Sequence, residues 1–234
     1  NEAVIRAHRD GILTSASLMV NEPDCAEAVA MARENPRLGV GLHLTLLCGR
    51  AALPRDTIPG LIDARGEFRD NPVAAGWKYF ADRSLRKQLR AEIHEQFKRF
   101  RATGLPMDHV NGHLHLHLHP TILSILIENA EALGMARMRL TREPYWTDAF
   151  LARGRRWYRS VHAAIYFILG RHARPRFRNR NIRHTERVFG LLEDSRVDEG
   201  YLLRLLPVLP GGDSELYSHP SLDKFKHEFD ALIS

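Results

Sequence analysis

The sequence predicts a parallel α/β fold, and three observations carry that reading. Short apolar, strand-like stretches alternate with longer segments of helical period. Pro and Gly punctuate the helical segments in the order that starts and stops helices. The chain's 234 residues, 44% hydrophobic and 26% charged, suffice for one substantial domain over 1–234 but not for two with linkers.

The elements follow in order. Val4, Ile5 and His8 ahead of Gly11 read as a helix, and Ile12–Val20 as a buried strand. A domain that opens on a helix ahead of its first visible strand predicts a further strand and loop upstream of Asn1. Asp24–Asn35 is a helix, with Asp24 and Glu27 at capping-box spacing and Pro36 beyond its end. Gly39–Leu47 is a strand with Leu42, Leu44 and Leu46 on one face and His43 and Thr45 on the other. Ala51–Val73, rich in Pro, Gly and Asp, is a long loop. Leu85, Leu89, Ile93, Phe97 and Phe100 recur at helical spacing and predict a helix from Leu85 to Gly104. Met107–Leu118 is a second strand, Pro120–Gly134 a helix and Met135–Leu140 a short strand. Arg187–Leu206 reads as a helix, Pro207–Asp213 as a turn, Glu215–Ser218 as a strand and Leu222–Ile233 as a closing helix.

Charge is concentrated. The net +6 arises from one basic amphipathic insertion at about 150–184. Between Leu151 and Arg183 stand ten Arg and no Lys, Asp or Glu, which leaves 24 basic side chains against 28 acidic elsewhere, a balance of −4. One surface that meets an anion fits this distribution better than general nucleic-acid binding. No apolar run approaches the ~20 residues of a spanning helix. Cys25 and Cys48 are too few for a disulfide framework, so a cytoplasmic protein with two free thiols is expected.

The strongest chemical signal is His113-Leu114-His115-Leu116-His117-Leu118-His119. Alternation on a strand places the imidazoles on one face, with i and i+2 about 7 Å apart, where a divalent metal is their commonest shared partner. Asp108 lies beside them in sequence. His43 alone reads as a satisfied core histidine.

These motifs resemble the YdjC-like carbohydrate deacetylases, and within them the hopanoid-biosynthesis-associated branch. The resemblance rests on Asn1–Ile5 with Gly11–Ser15, Gly41-Leu42-His43-Leu44-Thr45, Asp108 to His117, Arg139–Pro144 and Glu215–Pro220. It implies a distorted (β/α) TIM-like barrel and one divalent metal, Mg or Zn, held by His43, His113 and an Asp. That Asp, and the neighbouring Asp implied as general base, belong to a first-strand motif expected upstream of residue 1. Asn111-Gly112 stands where the family usually has Asp-Ser.

The resemblance further implies hydrolysis of the acetamide of an N-acetylglucosamine-containing substrate. His219 is the candidate general acid, and His115, His117, Arg139 and Arg142 are candidate substrate contacts. An N-acetylglucosaminyl hopanoid fits the basic segment, whose Arg153–Arg183 stretch, with Trp157, Tyr158, Tyr166 and Phe167, suits peripheral contact with an anionic membrane face. No nucleic acid is expected as partner, and a homodimer is. A chitooligosaccharide deacetylase, or a non-enzymatic metal- or membrane-binding protein, are the alternatives. An amidohydrolase-type barrel would carry its His-x-His pair near the chain start.

Overall fold

A computed structural model describes residues 1–151, 156–193 and 195–234, apart from the side chains at 148–150. Arg153 and Arg155 of the basic segment lie outside the described residues. In chain order the elements are α1 (Glu2–Asp10), β1 (Ser15–Leu18), α2 (Cys25–Arg33), β2 (Gly39–Leu44), α3 (Pro72–Ala81), α4 (Leu85–Ala102), β3 (Val110–Gly112) and α5 (Pro120–Glu128). There follow α6 (Tyr145–Leu151), α7 (Arg156–Asn179), β4 (Arg187–Phe189), α8 (Glu199–Leu205), β5 (Ser214–Leu216) and α9 (Lys226–Ile233). They form two compact units, one of Ser15–Arg139 with Arg176–Arg183, the other of Asn1–Thr14, Leu140–Pro175 and His184–Ser234.

In the first unit β1, β2 and β3 pair in sequence order, all parallel, with Ser17 opposite Gly41 and His43 opposite Asn111. Single parallel bridges continue the pairing from Val110 to Met138 and from Arg137 to Arg183. Helices must cross between parallel neighbours, and α2, α3 and α4 do so. The predicted α4 stripe is the core: Leu89, Ile93, Phe97 and Phe100 are fully buried, as is Leu42 on β2. In the second unit β4 and β5 pair in parallel, and α8 and α9 pack around Tyr201, Leu205, Phe229 and Leu232. The parallel α/β class is therefore observed.

Several local expectations are corrected. Asp24 makes no side-chain bond to the turn it precedes. An unforeseen helix, α3, begins at the end of the long loop, where Asn71 accepts a hydrogen bond from Ala74 N–H at 2.9 Å and Pro72 supplies a helix-ready φ. α5 stops at Glu128, where Asn129 Nδ2 donates to Ile125 O. The predicted helix Arg187–Leu206 is instead β4 followed by α8, whose N-terminus is capped by Asp198 accepting from Tyr201 N–H at 2.7 Å. Glycine is required between them: Gly190 has φ +89, and a Cβ there would lie 2.5 Å from Tyr217 O. The closing helix starts at Lys226 rather than Leu222.

Three buried glutamates staple the loops. Glu92 on α4 accepts from Ala52 and Leu53 N–H, Glu143 from Gly190 and Leu192 N–H, and Glu228 on α9 from Val197 and His219 N–H. Each carboxylate satisfies two backbone donors that no strand or helix pairs. Burial holds the Glu92 and Glu228 carboxyls above the usual range.

Both cysteines are free. Among the described residues no helix is long and apolar enough to cross a membrane.

Candidate active site at the carboxyl ends of β2 and β3

The histidine tract is not a strand. β3 ends at Gly112, and His113–Leu118 form a 3-10 turn in which Leu114 (φ 48) and His115 (φ 59) are left-handed. Two consecutive side-chain-bearing residues there cost about 1–3 kcal/mol each and persist only if their surroundings fix them. The tract's far end supplies the fixing: His117 Nε2–H donates to Arg139 O and His119 Nε2–H to Gly76 O, both at 3.0 Å. Gly112 permits the fold-back, since a Cβ there would stand 3.0 Å from His117 N.

The turn separates the imidazoles that alternation would have aligned. His113 faces His43, with His43 Nε2 and His113 Nδ1 3.4 Å apart and their rings nearly perpendicular. His115 is buried with its ring against that of His117, and His117 is fully buried. His43, read alone as a core histidine, is brought into the site by sheet pairing. Asp108 does not join the pair; it binds His109 Nδ1 at 3.0 Å and Arg137 at 2.9 Å.

The pair's spacing suits a shared cation. Two nitrogens each ~2.05 Å from a tetrahedral ion stand ~3.4 Å apart, the separation seen. Among the described residues, no cluster of three or more His, Cys, Asp or Glu side chains completes such a shell. The residues present thus fit two positions of it. Burial holds the His113 imidazole below its usual range, against a smaller opposing pull from Glu22, which favours the neutral, lone-pair form a metal requires.

A polar network missed in the sequence backs His43. The Asn111 amide lies 2.7 Å from His43 Nδ1 on one side; on the other it lies 2.7 Å from Ser17 Oγ and 3.2 and 3.3 Å from the Arg139 guanidinium. Ser17 Oγ in turn is 3.0 Å from His109 Nε2. The His109 ring lies flat over Gly41, where a Cβ would approach it to 2.5 Å. Only the strand register, unseen in the sequence, joins these residues.

The other candidates belong to the second unit, Arg139 excepted. Arg139 is buried beside Asn111. Arg142 is exposed and lines a cleft of about 250 Å³ with Arg174, His184, Glu186 and Arg187. His219 is exposed, with Nδ1 3.0 Å from Ser195 Oγ and Nε2 2.7 Å from Tyr217 OH. Its backbone N–H is anchored by Glu228.

Burial pulls the His117 imidazole down to about 3 and lowers those of His113 and His119. In the unfolded chain these groups titrate near 6.5. Their contribution is therefore complete above pH 6.5 and is lost as pH falls from there toward 3, because the unfolded chain takes up the protons first. His117 alone contributes a slope of up to about 1.4 kcal/mol per pH unit. Urea midpoints measured at pH 7, 6 and 5 should fall steadily. In His117→Gln, which keeps an amide donor for Arg139 O, the slope should be shallower; an unchanged slope refutes the assignment.

A parallel α/β sheet that gathers paired imidazoles and their hydrogen-bonded support at its strand ends is the frame of a protein that binds its ligand on that edge. The chain matches the YdjC-like protein family over residues 1–234 and belongs to it. It is 40% identical over 134 residues to a carbohydrate deacetylase of Brevibacillus brevis, covering 56% of this chain and 50% of that one. It is 34% identical over 148 residues to a carbohydrate deacetylase of Geobacillus stearothermophilus, covering 63% and 54%. With a chitooligosaccharide deacetylase of Serratia marcescens it shares 32% identity over 165 residues, covering 64% and 61%. The chain thus spans about half the length of the curated relatives it matches. In fold it is similar to the crystal structure of an Enterococcus faecalis V583 protein provisionally assigned to cellobiose-phosphate cleavage, with a TM-score of 0.71, 21% identity, and coverage of 100% of this chain and 84% of that one.

Proposed function

We propose that this protein is a metal-dependent carbohydrate N-deacetylase that hydrolyses the acetamide of an N-acetylglucosamine-containing substrate on a distorted (β/α) barrel. The observation that carries it is the 3.4 Å approach of His43 Nε2 and His113 Nδ1 at the strand ends, in a chain similar to carbohydrate deacetylases. His43 and His113 would hold magnesium or zinc, together with the Asp expected upstream of residue 1. Such an ion supplies Lewis acidity toward the acetamide carbonyl and its attacking water.

In the full-length protein the Asp implied beside that ligand, upstream of residue 1, would take the water proton, and the groups of this chain do the rest. His219 gives a proton to the departing amine; Tyr217 OH and Ser195 Oγ hold its ring in place for the transfer. His115 and Arg142 are the proposed sugar contacts. Arg139 acts through Asn111, and His117, bound to Arg139 O, fixes that strand end.

An N-acetylglucosaminyl hopanoid is the proposed substrate, and α7 supports a lipid partner. Trp157, Val161, Ile165 and Ile168, at spacings of four, four and three, form an exposed apolar stripe, with Trp157 83% exposed. Tyr158 and Tyr166 are half-buried; Tyr158 lies over the His162 ring at 3.8 Å, and Tyr166 meets that ring edge-on. No acidic residue interrupts 151–183. An apolar stripe edged by arginines is the pattern of a helix lying in an anionic bilayer surface.

The test is acetate release by the full-length protein from N-acetylglucosaminyl bacteriohopanetetrol in anionic vesicles, with a chitooligosaccharide in parallel, each with and without chelator. Chelator-sensitive release from the lipid is expected. Release from the chitooligosaccharide alone keeps the chemistry and removes the lipid. Release from neither refutes the deacetylase reading.

A further inference from the structure

The Asn111 amide decides which nitrogen of His43 carries the proton. A guanidinium only donates hydrogen bonds. The side of the amide that meets Arg139 at 3.2 and 3.3 Å and Ser17 Oγ at 2.7 Å is therefore its oxygen, and its NH2 donates to His43 Nδ1 at 2.7 Å. An imidazole that accepts at Nδ1 carries its proton on Nε2. In His43 that proton points at His113 Nδ1, 3.4 Å away, into the position a cation would share.

We propose that Asn111 is a positioning residue that holds His43 in the tautomer unable to bind a cation through Nε2, and so sets the metal affinity of the His43–His113 pair. Binding at Nε2 requires the proton to move to Nδ1. Nδ1–H then needs an acceptor, and Asn111 provides one only by turning its amide over. Turning sets the amide NH2 against the Arg139 guanidinium and loses both hydrogen bonds to it. The Arg139 side chain is buried, so this loss is not made good by water. The protein thus trades metal affinity against an intact Arg139–Asn111–Ser17 network. This inference rests on the metal reading above and concerns only which proton the metal must move.

Two substitutions relieve the conflict by different routes. Asn111→Asp presents an acceptor on every side: one carboxylate oxygen accepts from His43 Nδ1–H while the other keeps Arg139. Arg139→Met preserves bulk but removes the donors, leaving the Asn111 amide to turn freely. Partners behind a metal ligand typically change affinity by ~10–100-fold. We expect Zn2+, titrated into the full chain in competition with a chromophoric chelator, to bind at least about 10-fold tighter in Asn111→Asp and tighter also in Arg139→Met.

The second readout needs no metal. Long-range 1H–15N spectra of the histidine rings should show His43 as the Nε2–H tautomer in the unmodified protein and as Nδ1–H in Asn111→Asp. An Nδ1–H tautomer in the unmodified protein overturns the proposal while leaving the metal reading intact. Unchanged Zn2+ affinity in both variants also overturns it. Absence of Zn2+ binding in all three proteins, with tautomers as expected, refutes the metal reading and the affinity claim with it, and leaves Asn111 only its hold on the tautomer.

Discussion

Replacing His113 with Ala in the full-length protein should reduce acetate release by roughly 10³-fold or more, the factor that corresponds to the several kcal/mol a Lewis acid supplies. The same change made elsewhere in the tract should behave differently, because the turn gives each histidine its own neighbour. His119 donates to Gly76 O and does not face the pair. His119→Gln should therefore keep activity within a few-fold while lowering the denaturation midpoint. A reading in which the tract acts as one cooperative metal comb predicts similar losses from both. Equal effects of the two substitutions on turnover would refute the site drawn here.

Glu92→Leu should be the most damaging single change to the fold among those the structure suggests, at about 3–5 kcal/mol. Glu92 is fully buried, and its carboxylate accepts from Ala52 N–H at 2.7 Å, Leu53 N–H at 2.9 Å and Gln96 Nε2–H at 2.7 Å. Gln96 carries the same load one turn on, donating to Thr45 O and accepting from Thr45 N–H just past β2. Leucine fills the volume but orphans the buried Ala52 donor and the part-buried Leu53 donor, each costing about 1–3 kcal/mol when water cannot reach it. Because burial raises the Glu92 pKa, its favourable contribution is fully present below 4.5 and diminishes as pH rises through the folded value. The penalty should appear in urea melts as a lowered midpoint with little change in slope. A loss under 1 kcal/mol would show that water reaches the loop donors.

The frame of the fold was legible because its signals are local. Apolar spacing on α4, Pro120 at the start of α5 and the alternation of Leu42 and Leu44 on β2 each depend on a few neighbouring residues, and each element formed where those residues stand. The buried glutamates were not legible. Glu92 and Gln96 stand within the buried stripe of α4, yet nothing nearby in sequence reveals that loop N–H groups some 40 residues away need acceptors. The histidine tract misled for the opposite reason. Its period of two is a true strand signal, overridden by tertiary bonds from His117 and His119 that only the folded chain provides. His43 and Asn111 became a pair only through the register of β2 against β3. Asp108, adjacent in sequence, went to Arg137 instead.

The turn at Leu114 and His115 also bears on the unfolded chain. Released from its left-handed kink, the segment His113–His119 is a flexible run of four histidines at alternate positions, free to wrap a transition-metal ion as a chelating peptide does. Folding takes that capacity away, since two of the four are committed to carbonyl oxygens and one is buried against its neighbour. A metal that binds both states stabilises the native one by less than its native affinity alone would give. Thermal shifts with nickel or zinc should therefore understate the affinity of the folded site. Refolding in the presence of those ions should be slowed by the competing chelate, and imidazole, which strips it, should restore the rate.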